Sequence, residues 1–577
     1  MSSYIPFGNA GVQQPPFYNM PDFTWANAKL ASLSLEEKIA QLLHVAAYSN
    51  RDQQHLDYLL QLTEEEKIGG VIYFQGDPQK QSEMTNKLQN AADIPLFVSI
   101  DGEWGLAMRL NDTIAFPYQI ALGAMADEHE ELIYEMGREI GKHCRAIGIH
   151  MNFAPTIDIN NNPKNPVIGF RSFGESKYKV AAKAYAYMKG MQDEGVLACG
   201  KHFPGHGDTD SDSHFTLPLI SHSLEHLQEN EFYPFQELQK KGAAAMMIAH
   251  LNVPALEKQK GIPSTLSHSI VTGQLKQSLG FDGLIFTDAL DMKGVSAHFK
   301  PGEIETKALL AGNDVLLFTV DVKKAKAGIL EAIEKGLISE KEIDERCLKL
   351  LKAKQWLGLD KFKAIDKSKI EAQLHNEAAI TLNQQLSDKS ITIYKNESIA
   401  LPLSSETKVA VLSISGDPDA EIKLVKAFDA NLAHHFSGKE KEDKSDELTL
   451  FQKQLGAQDS VSNIRLNHLS NESDLNSAKE ELNAADVKVI AFHLTGMKTS
   501  SGFGITPQIE EIVKAYSDDA NCFFVIFGNI YALNKLEGIK AAKNVLLCYQ
   551  DSVEMQKAAS KVLLGEITAE GTLPVTL

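Results

Sequence analysis

The sequence contains little cysteine, with five in 577 residues, and none of them shows the short spacing of a zinc site. Cys199 and Cys522 lie in or beside apolar runs, where a buried free thiol is the usual state. We therefore expect no disulfide framework. The odd count is compatible with the cytoplasm and nearly as compatible with the periplasm or the outer cell surface.

Long hydrophobic runs are also missing. The longest, such as 69–74 and 313–318, have the length of strands and are far too short to span a membrane. The chain does not open with the basic and apolar segments of a secretory signal. Residues 1–24 are polar and rich in Pro and Gly, which predicts an unstructured leader. Removal of a signal peptide would favour a periplasmic or cell-surface protein, and otherwise the cytoplasm is expected.

Positive charge is scarce relative to negative charge. There are 57 basic and 76 acidic side chains, and the formal net charge is −19. Such a field repels phosphate backbones and anionic lipid surfaces, so we expect no nucleic-acid partner and no membrane-surface role. Oligomeric state is not indicated by the sequence.

Short apolar segments alternate with amphipathic helical patterns along the first part of the chain. This alternation is typical of a parallel sheet covered on both faces. Eight units over roughly 320 residues favour a (β/α)₈ barrel of the TIM type, in the α/β class, over an open sheet. The strands are predicted at 42–46, 69–74, 95–100, 149–153, 196–200, 244–250, 283–287 and 313–318.

A second strand–helix series follows a charged helical stretch. We predict a barrel over 25–357, a linker helix over 358–387 and a smaller parallel αβα sandwich over 388–577. The last residues, 571–577, are expected to form a strand. The strands of the sandwich are predicted at 408–415, 487–494, 522–529 and 543–549.

Polar residues follow several barrel strands directly. Asp101, the pair Lys201–His202, His250 and Asp288 each stand at the end of an apolar run. In a (β/α)₈ barrel, the carboxyl ends of the strands share one rim, and active sites are built there. We expect these side chains to converge on a site.

The stretch 201–215, KHFPGHGDTDSDSHF, is the densest in ionisable groups. Gly205 and Gly207 permit backbone angles that a helix does not, which predicts a loop over the barrel mouth. A metal site is one alternative, and its ligands would come from the histidines and aspartates of the stretch, namely His202, His206, His214, Asp208, Asp210 and Asp212. Pro204 and Gly205 stand between His202 and His206, so these histidines do not share one helix face as in a zincin. We expect no metal and no cofactor. A purely structural loop is the other alternative, but ionisable groups rarely gather without a task.

Three further stretches supply candidate residues. In 283–295, Asp288 follows a strand and is the better nucleophile, whereas Asp291 is expected to cap the next helix. The stretch 98–110 contains Asp101, Trp104 and Arg109. The turn-rich loop 160–175 delivers Arg171.

At these stretches, the sequence resembles glycoside hydrolase family 3, and in particular its β-N-acetylglucosaminidase (β-N-acetylhexosaminidase) branch. The resemblance runs from about residue 25 to the end, and its most specific element is the intact K-H-F-P-G-H-G-D-T-x-x-D-S-H. It implies a retaining glycosidase that releases β-linked N-acetylglucosamine from wall-derived or chitin-type oligosaccharides. The nucleophile would be Asp288, and the acid/base His214, paired with Asp212. The implied sugar-binding residues are Asp101, Arg109, Arg171, Lys201 and His202.

One segment departs from the family. Where the family commonly has D-Q-E-G-G-R, this chain has D-G-E-W-G-L at 101–106. Asp101 and Arg109 keep their spacing, but Leu106 replaces a usual basic residue, which affects the expected preference for the aglycone.

Three alternatives stay open. A β-glucosidase or β-xylosidase of the same family would place its acid/base in the second domain and lack D-S-H. Phosphorolysis is compatible with a histidine acid/base, because imidazole does not repel a phosphate anion as a carboxylate does. A non-catalytic sugar-binding barrel would be expected to have lost Asp288 or His214.

Overall fold

The computed structural model describes residues 4–212, 216–420, 447–456 and 460–577. The chain divides into two compact units. The barrel unit comprises Met1–Phe116, Ile133–Asn162 and Ser176–Ile380, and the sandwich unit comprises Pro117–Leu132, Pro163–Glu175 and Thr381–Leu577. Among the described residues, no helix is both long and apolar enough to cross a bilayer.

The barrel unit contains eight parallel strands in the order β7-β6-β5-β4-β3-β2-β1-β8. A bridge between Phe286 and Val315 joins β7 to β8, so the barrel is nearly closed and the predicted (β/α)₈ fold is confirmed. The strands are β1 Leu43–Ala47, β2 Gly70–Tyr73, β3 Phe97–Ile100, β4 Met151–Asn152, β5 Leu197–Phe203, β6 Ala245–Ile248, β7 Leu284–Thr287 and β8 Leu316–Leu317.

Helices follow the strands as the alternation predicts, and a π-helical segment covers Ser269–Ser278. The first cap is confirmed, because Ser34 and Glu37 form a capping box. In chain order, the α-helices of the described residues are α1 Thr24–Ser32, α2 Leu35–Gln41, α3 Gln53–Glu64, α4 Pro78–Ala91, α5 Gln119–Ala124, α6 Glu130–Ala146, α7 Lys177–Asp193, α8 Leu224–Glu229, α9 Phe232–Lys240, α10 Lys293–Ser296, α11 Glu303–Ala311, α12 Val322–Glu334, α13 Glu340–Trp356, α14 Ile370–Leu374, α15 Glu377–Ser390, α16 Leu450–Leu455, α17 Glu472–Asn483, α18 Pro507–Tyr516, α19 Glu537–Ala541 and α20 Val553–Leu564.

The prediction of an unstructured leader is wrong for residues 4–24. Two 3₁₀ turns occur there, at Phe7–Asn9 and Pro16–Tyr18. Phe17 is fully buried and belongs to the core of the barrel unit, and the Gln13 amide donates to the Lys240 carbonyl at 2.8 Å. Burial of one large aromatic ring explains why a Pro-rich segment without helical or strand periodicity is still ordered.

The sandwich unit has a six-stranded sheet in the order β11-β10-β12-β13-β14-β9. The predicted all-parallel sheet is corrected to a mixed one, because β9 pairs antiparallel with β14. Neither of the two edge strands, β9 and β11, was predicted, because their side chains are largely half-exposed and form no apolar run. Residues 571–577 form no strand. The strands are β9 Thr392–Asn396, β10 Val409–Ser415, β11 Val461–Leu466, β12 Val487–His493, β13 Cys522–Phe527 and β14 Asn544–Leu547.

Two segments from within the predicted barrel range belong to the sandwich unit. In Pro117–Leu132, the side chains of Ile120, Ala121 and Ala124 lie in the hydrophobic core of that unit. The segment Pro163–Glu175, which contains Arg171, is the second. A local sequence pattern predicts a helix or a strand, but it does not predict which hydrophobic core an apolar face joins. A single boundary at residue 357 therefore left both segments in the predicted barrel.

Candidate active site

Four charged side chains form a buried cluster at the carboxyl ends of the barrel strands. Asp101 follows β3 and accepts hydrogen bonds from Arg109 Nη2 at 2.9 Å and from Lys201 Nζ at 2.8 Å. Lys201 lies in β5, and its Nζ is also 2.8 Å from Glu103 Oε1. The Lys201 side chain is 3% exposed and that of Glu103 is 0% exposed. Two cations and two carboxylates thus neutralise one another in a largely water-free place.

The electrostatics of Asp101 favour its charged form. Burial alone would raise the pKa of this carboxyl, but the neighbouring Lys201 and Arg109 cations outweigh burial and lower the pKa to about 2. The Arg109 guanidinium is itself held over the Phe74 ring, 3.8 Å from its centroid. Asp101 therefore presents a fixed acceptor at neutral pH.

This arrangement predicts a pH-dependent stability of the barrel unit. Because the pKa of Asp101 falls from 3.8 to about 2 on folding, its contribution is present above pH 4 and is lost as the pH falls towards 2. The contribution is about 2 kcal/mol, from roughly 1.4 kcal/mol per pKa unit. The difference in unfolding free energy between the wild type and Asp101→Asn should therefore shrink by that amount between pH 4 and pH 2.

All three tryptophans, Trp25, Trp104 and Trp356, lie in the barrel unit, so urea unfolding followed by their fluorescence reports this unit. Asp57→Asn is a matched control, because Asp57 is an exposed carboxylate that accepts from the Gln53 side chain. A difference between wild type and Asp101→Asn that stays constant from pH 4 to pH 2 would contradict the prediction.

The turn that carries Asp101 and Glu103 is held by the neighbouring strand. Asn152 in β4 accepts from the Gly102 amide at 2.8 Å and donates to the Gly102 carbonyl at 2.9 Å. Glu103 was not among the predicted site residues. The sequence offered one indication of its role, namely its position two residues after the strand-end Asp101. The ion pair with Lys201 was not predictable, because Lys201 is about a hundred residues away in sequence.

His202 is positioned by a carboxylate that sequence reasoning also missed. Asp158 Oδ2 lies 2.7 Å from His202 Nδ1, and Asp158 Oδ1 accepts from the His206 amide at 2.7 Å. Burial would raise the pKa of Asp158, but His202 and the hydrogen bonds from the loop lower it. Asp158 thus joins the end of β5 to the first turn of the following loop.

The two glycines of this loop serve different purposes. Gly205 has φ of +122°, a conformation that glycine adopts without strain, as expected. Gly207 is required by close approach instead, because a Cβ atom there would lie 1.8 Å from the Ile159 carbonyl oxygen.

Asp288 directly follows β7, as predicted. Its amide donates to the Ile248 carbonyl at 2.9 Å, and its Oδ1 accepts from the Ala289 amide at 2.8 Å. Cys199 lies in the neighbouring strand β5, and burial raises the pKa of its thiol.

Asp291 does not cap a helix, which corrects the prediction. Helix α10 has Met292 as its N-cap, with no side-chain cap hydrogen bond. Asp291 is exposed, and its carbonyl accepts from Ser296 Oγ at 3.0 Å. The turn places this residue one position too early to cap the helix.

Three predicted residues stand apart in sequence from these strand ends, and the structure describes two of them, Asp212 and Arg171. His214 lies outside the described residues, and Asp212 is half-buried, with its carbonyl accepting from the Thr216 amide at 3.0 Å. Arg171 belongs to the sandwich unit, on the 3₁₀ turn Gly169–Arg171, where its Nη1 donates to the Val167 carbonyl at 3.4 Å.

A (β/α)₈ barrel with buried carboxylates and cations at the carboxyl ends of its strands is the architecture of a TIM-barrel enzyme. Residues 34–353, more than half of the chain, match the glycosyl hydrolase family 3 N-terminal domain. The chain belongs to glycoside hydrolase family 3, within its β-hexosaminidase branch, and is a glycoside hydrolase.

The chain is similar to several named glycosidases. It is 30% identical over 556 residues to beta-hexosaminidase A of Pseudoalteromonas piscicida, covering 88% of this chain and 89% of the relative. It is 26% identical over 396 residues to a beta-N-acetylglucosaminidase/beta-glucosidase of Cellulomonas fimi, covering 67% of this chain and 69% of that protein. A solved family 3 beta-N-acetylglucosaminidase from Paenibacillus sp. superposes with a TM-score of 0.76 at 30% identity, over 95% of this chain and 99% of that one.

Proposed function

We propose that this β-hexosaminidase is a retaining enzyme that releases β-linked N-acetylglucosamine from wall-derived or chitin-type oligosaccharides. The observation that carries the proposal is the cluster of Asp101, Arg109 and Lys201 at the carboxyl ends of the barrel strands, together with Asp288 directly after β7. Asp101 offers hydrogen-bond acceptors, and Arg109 and Lys201 offer donors, for sugar hydroxyls and an acetamido carbonyl. Asp288 adds the carboxylate that a retaining mechanism needs as its nucleophile.

In this mechanism, Asp288 attacks the anomeric carbon as the bond to the leaving oxygen breaks, which forms a glycosyl–Asp288 ester. His214 gives its proton to that oxygen, and the imidazole later takes a proton from the water that hydrolyses the ester. Asp212 orients the imidazole and stabilises its cationic form. Nearby Lys201 favours the ionised nucleophile. The proposed sugar-binding residues are Asp101, Arg109, Arg171, Lys201 and His202.

The substrate part of the proposal is tested with p-nitrophenyl glycosides. We expect a higher kcat/KM for the β-N-acetylglucosaminide than for the β-glucoside or the β-xyloside, because the intact D-S-H motif is typical of the β-N-acetylglucosaminidase branch. The β-glucoside is the critical comparison, since the Cellulomonas fimi relative is named for both activities. Faster cleavage of the β-glucoside would overturn the substrate assignment.

Phosphorolysis is the second candidate, because the acid/base is a histidine rather than a carboxylate. The test is product analysis with and without inorganic phosphate. We expect free N-acetylglucosamine as the product in both cases. Accumulation of N-acetylglucosamine 1-phosphate would show that inorganic phosphate, and not water, accepts the glycosyl group.

A further inference from the structure

A second group of ionisable side chains lies on the barrel unit, outside the cluster around Asp101. His222 precedes helix α8 by two residues, His226 lies within α8, and Glu231 immediately precedes α9. One potential ligand atom from each of the three residues lies within 4.8 Å of the others. The two imidazole rings are stacked with their centroids 4.0 Å apart. Three residues from two helix starts thus converge on one point.

Glu231 is the most buried member of the group, and Asn161 Nδ2 donates to its Oε1 at 3.5 Å. Its side chain is 4% exposed, and its Oε2 has no hydrogen-bond partner in the described part of the chain. Its Oε1 lies 3.4 Å from His226 Nε2, without the geometry of a hydrogen bond, so this buried nitrogen also lacks a hydrogen-bond partner there. Buried polar atoms that are left unsatisfied are costly, and an ion that binds both would satisfy them.

Asp208 adds a fourth group beside these three. Its Oδ2 lies 2.6 Å from His222 Nε2. Histidines that bind metals commonly contact a carboxylate as well, which fixes the orientation of the ring. Asp208 belongs to the loop that follows β5, and Gly205 of the same loop packs against Glu231, since a Cβ atom at Gly205 would lie 2.8 Å from Glu231 Cβ. The cluster therefore connects this loop with α8 and α9.

We propose that His222, His226 and Glu231 bind one divalent transition-metal ion of the zinc type, with Asp208 as the carboxylate beside His222. Two imidazole nitrogens and a carboxylate oxygen are ligand types that zinc prefers, and the remaining position is available to water. The ion cross-links the loop after β5 to the start of α9. The site shares only Asp208 with the metal alternative that the sequence offered, because none of His222, His226 and Glu231 belongs to the stretch 201–215.

The test is zinc binding to the full chain after dialysis against a chelator. Isothermal titration with Zn²⁺ alone should give one high-affinity site per chain, and saturating Zn²⁺ should raise the unfolding temperature of the tryptophan-reported transition. Glu231→Gln keeps the side-chain size, His226→Asn replaces the imidazole with a smaller polar group, and each should weaken zinc binding at least tenfold. Both variants are checked for folding by circular dichroism in the absence of metal.

The control is His129→Ala in the sandwich unit, where Glu128, His129 and Glu570 form a more exposed group of similar composition. This variant should retain the high-affinity site. Hydrogen exchange at the amides of 205–209 should slow on addition of Zn²⁺ in the wild type and not in Glu231→Gln. Absence of stoichiometric zinc binding by the wild type, or wild-type zinc affinity in both site variants, would overturn the proposal. Neither outcome bears on the glycosidase mechanism, because none of these residues is assigned to it.

Discussion

Asp288→Asn is expected to abolish nearly all turnover of a β-N-acetylglucosaminide. The amide that replaces the carboxylate is a very poor nucleophile, so the glycosyl–enzyme ester does not form. Removal of one member of a covalent catalytic group in a hydrolase lowers kcat by roughly 10⁴-fold or more, and we expect a loss on that scale. The substitution keeps the size of the side chain and the acceptor for the Ala289 amide, so folding should be preserved.

The matched control is Asp291→Asn, three residues further along the same turn. Asp291 is exposed and does not cap α10, so this variant should retain much of the activity. Trapping with a fluorinated slow substrate, followed by peptide mass spectrometry, should place the label on Asp288. Label on Asp291, or a product with inverted anomeric configuration, would refute the assignment of Asp288 as nucleophile.

His214→Ala is expected to show a loss that depends on the leaving group. General acid catalysis typically contributes about 10²–10⁴-fold, and it matters most when the departing oxygen is a poor leaving group. Hydrolysis of natural disaccharides should therefore fall by that factor, while glycosylation by an activated aryl glycoside should fall much less. The basic limb of the pH–rate profile should also disappear, because no imidazole remains to supply the proton.

Asp212→Ala separates orientation of the imidazole from proton transfer. This variant should weaken both effects without abolishing them, since Asp212 only orients and charges the imidazole. The comparison is made from kcat/KM values on one activated aryl glycoside and one disaccharide. Equal losses on both substrates in His214→Ala would show that His214 binds the sugar or holds the loop. The acid would then be sought among Asp208, Asp210 and the second domain.

Several pairings at the candidate site were not predictable from the sequence. Asp158 lies 44 residues before His202, and Lys201 lies 100 residues after Asp101. A strand-end position predicts that a side chain reaches the rim, but not which rim neighbour it contacts. The burial of Glu231 was not predictable either, because an isolated carboxylate before a helix is ordinarily exposed.

The sequence by itself determined the barrel, its strands and the strand-end positions of Asp101, Lys201 and Asp288, because apolar runs and helical periodicity are local properties that the chain carries without long-range contacts. Only the tertiary structure decided that Phe17 orders the Pro-rich start, that Ile120 and its neighbours join the core of the sandwich unit, and that Glu103 and Asp158 hold Lys201 and His202. The physical reason is that burial and ion pairing depend on contacts between residues that are distant in sequence. A charged side chain needs a partner once the packed core excludes water from it, and only the folded chain brings that partner close.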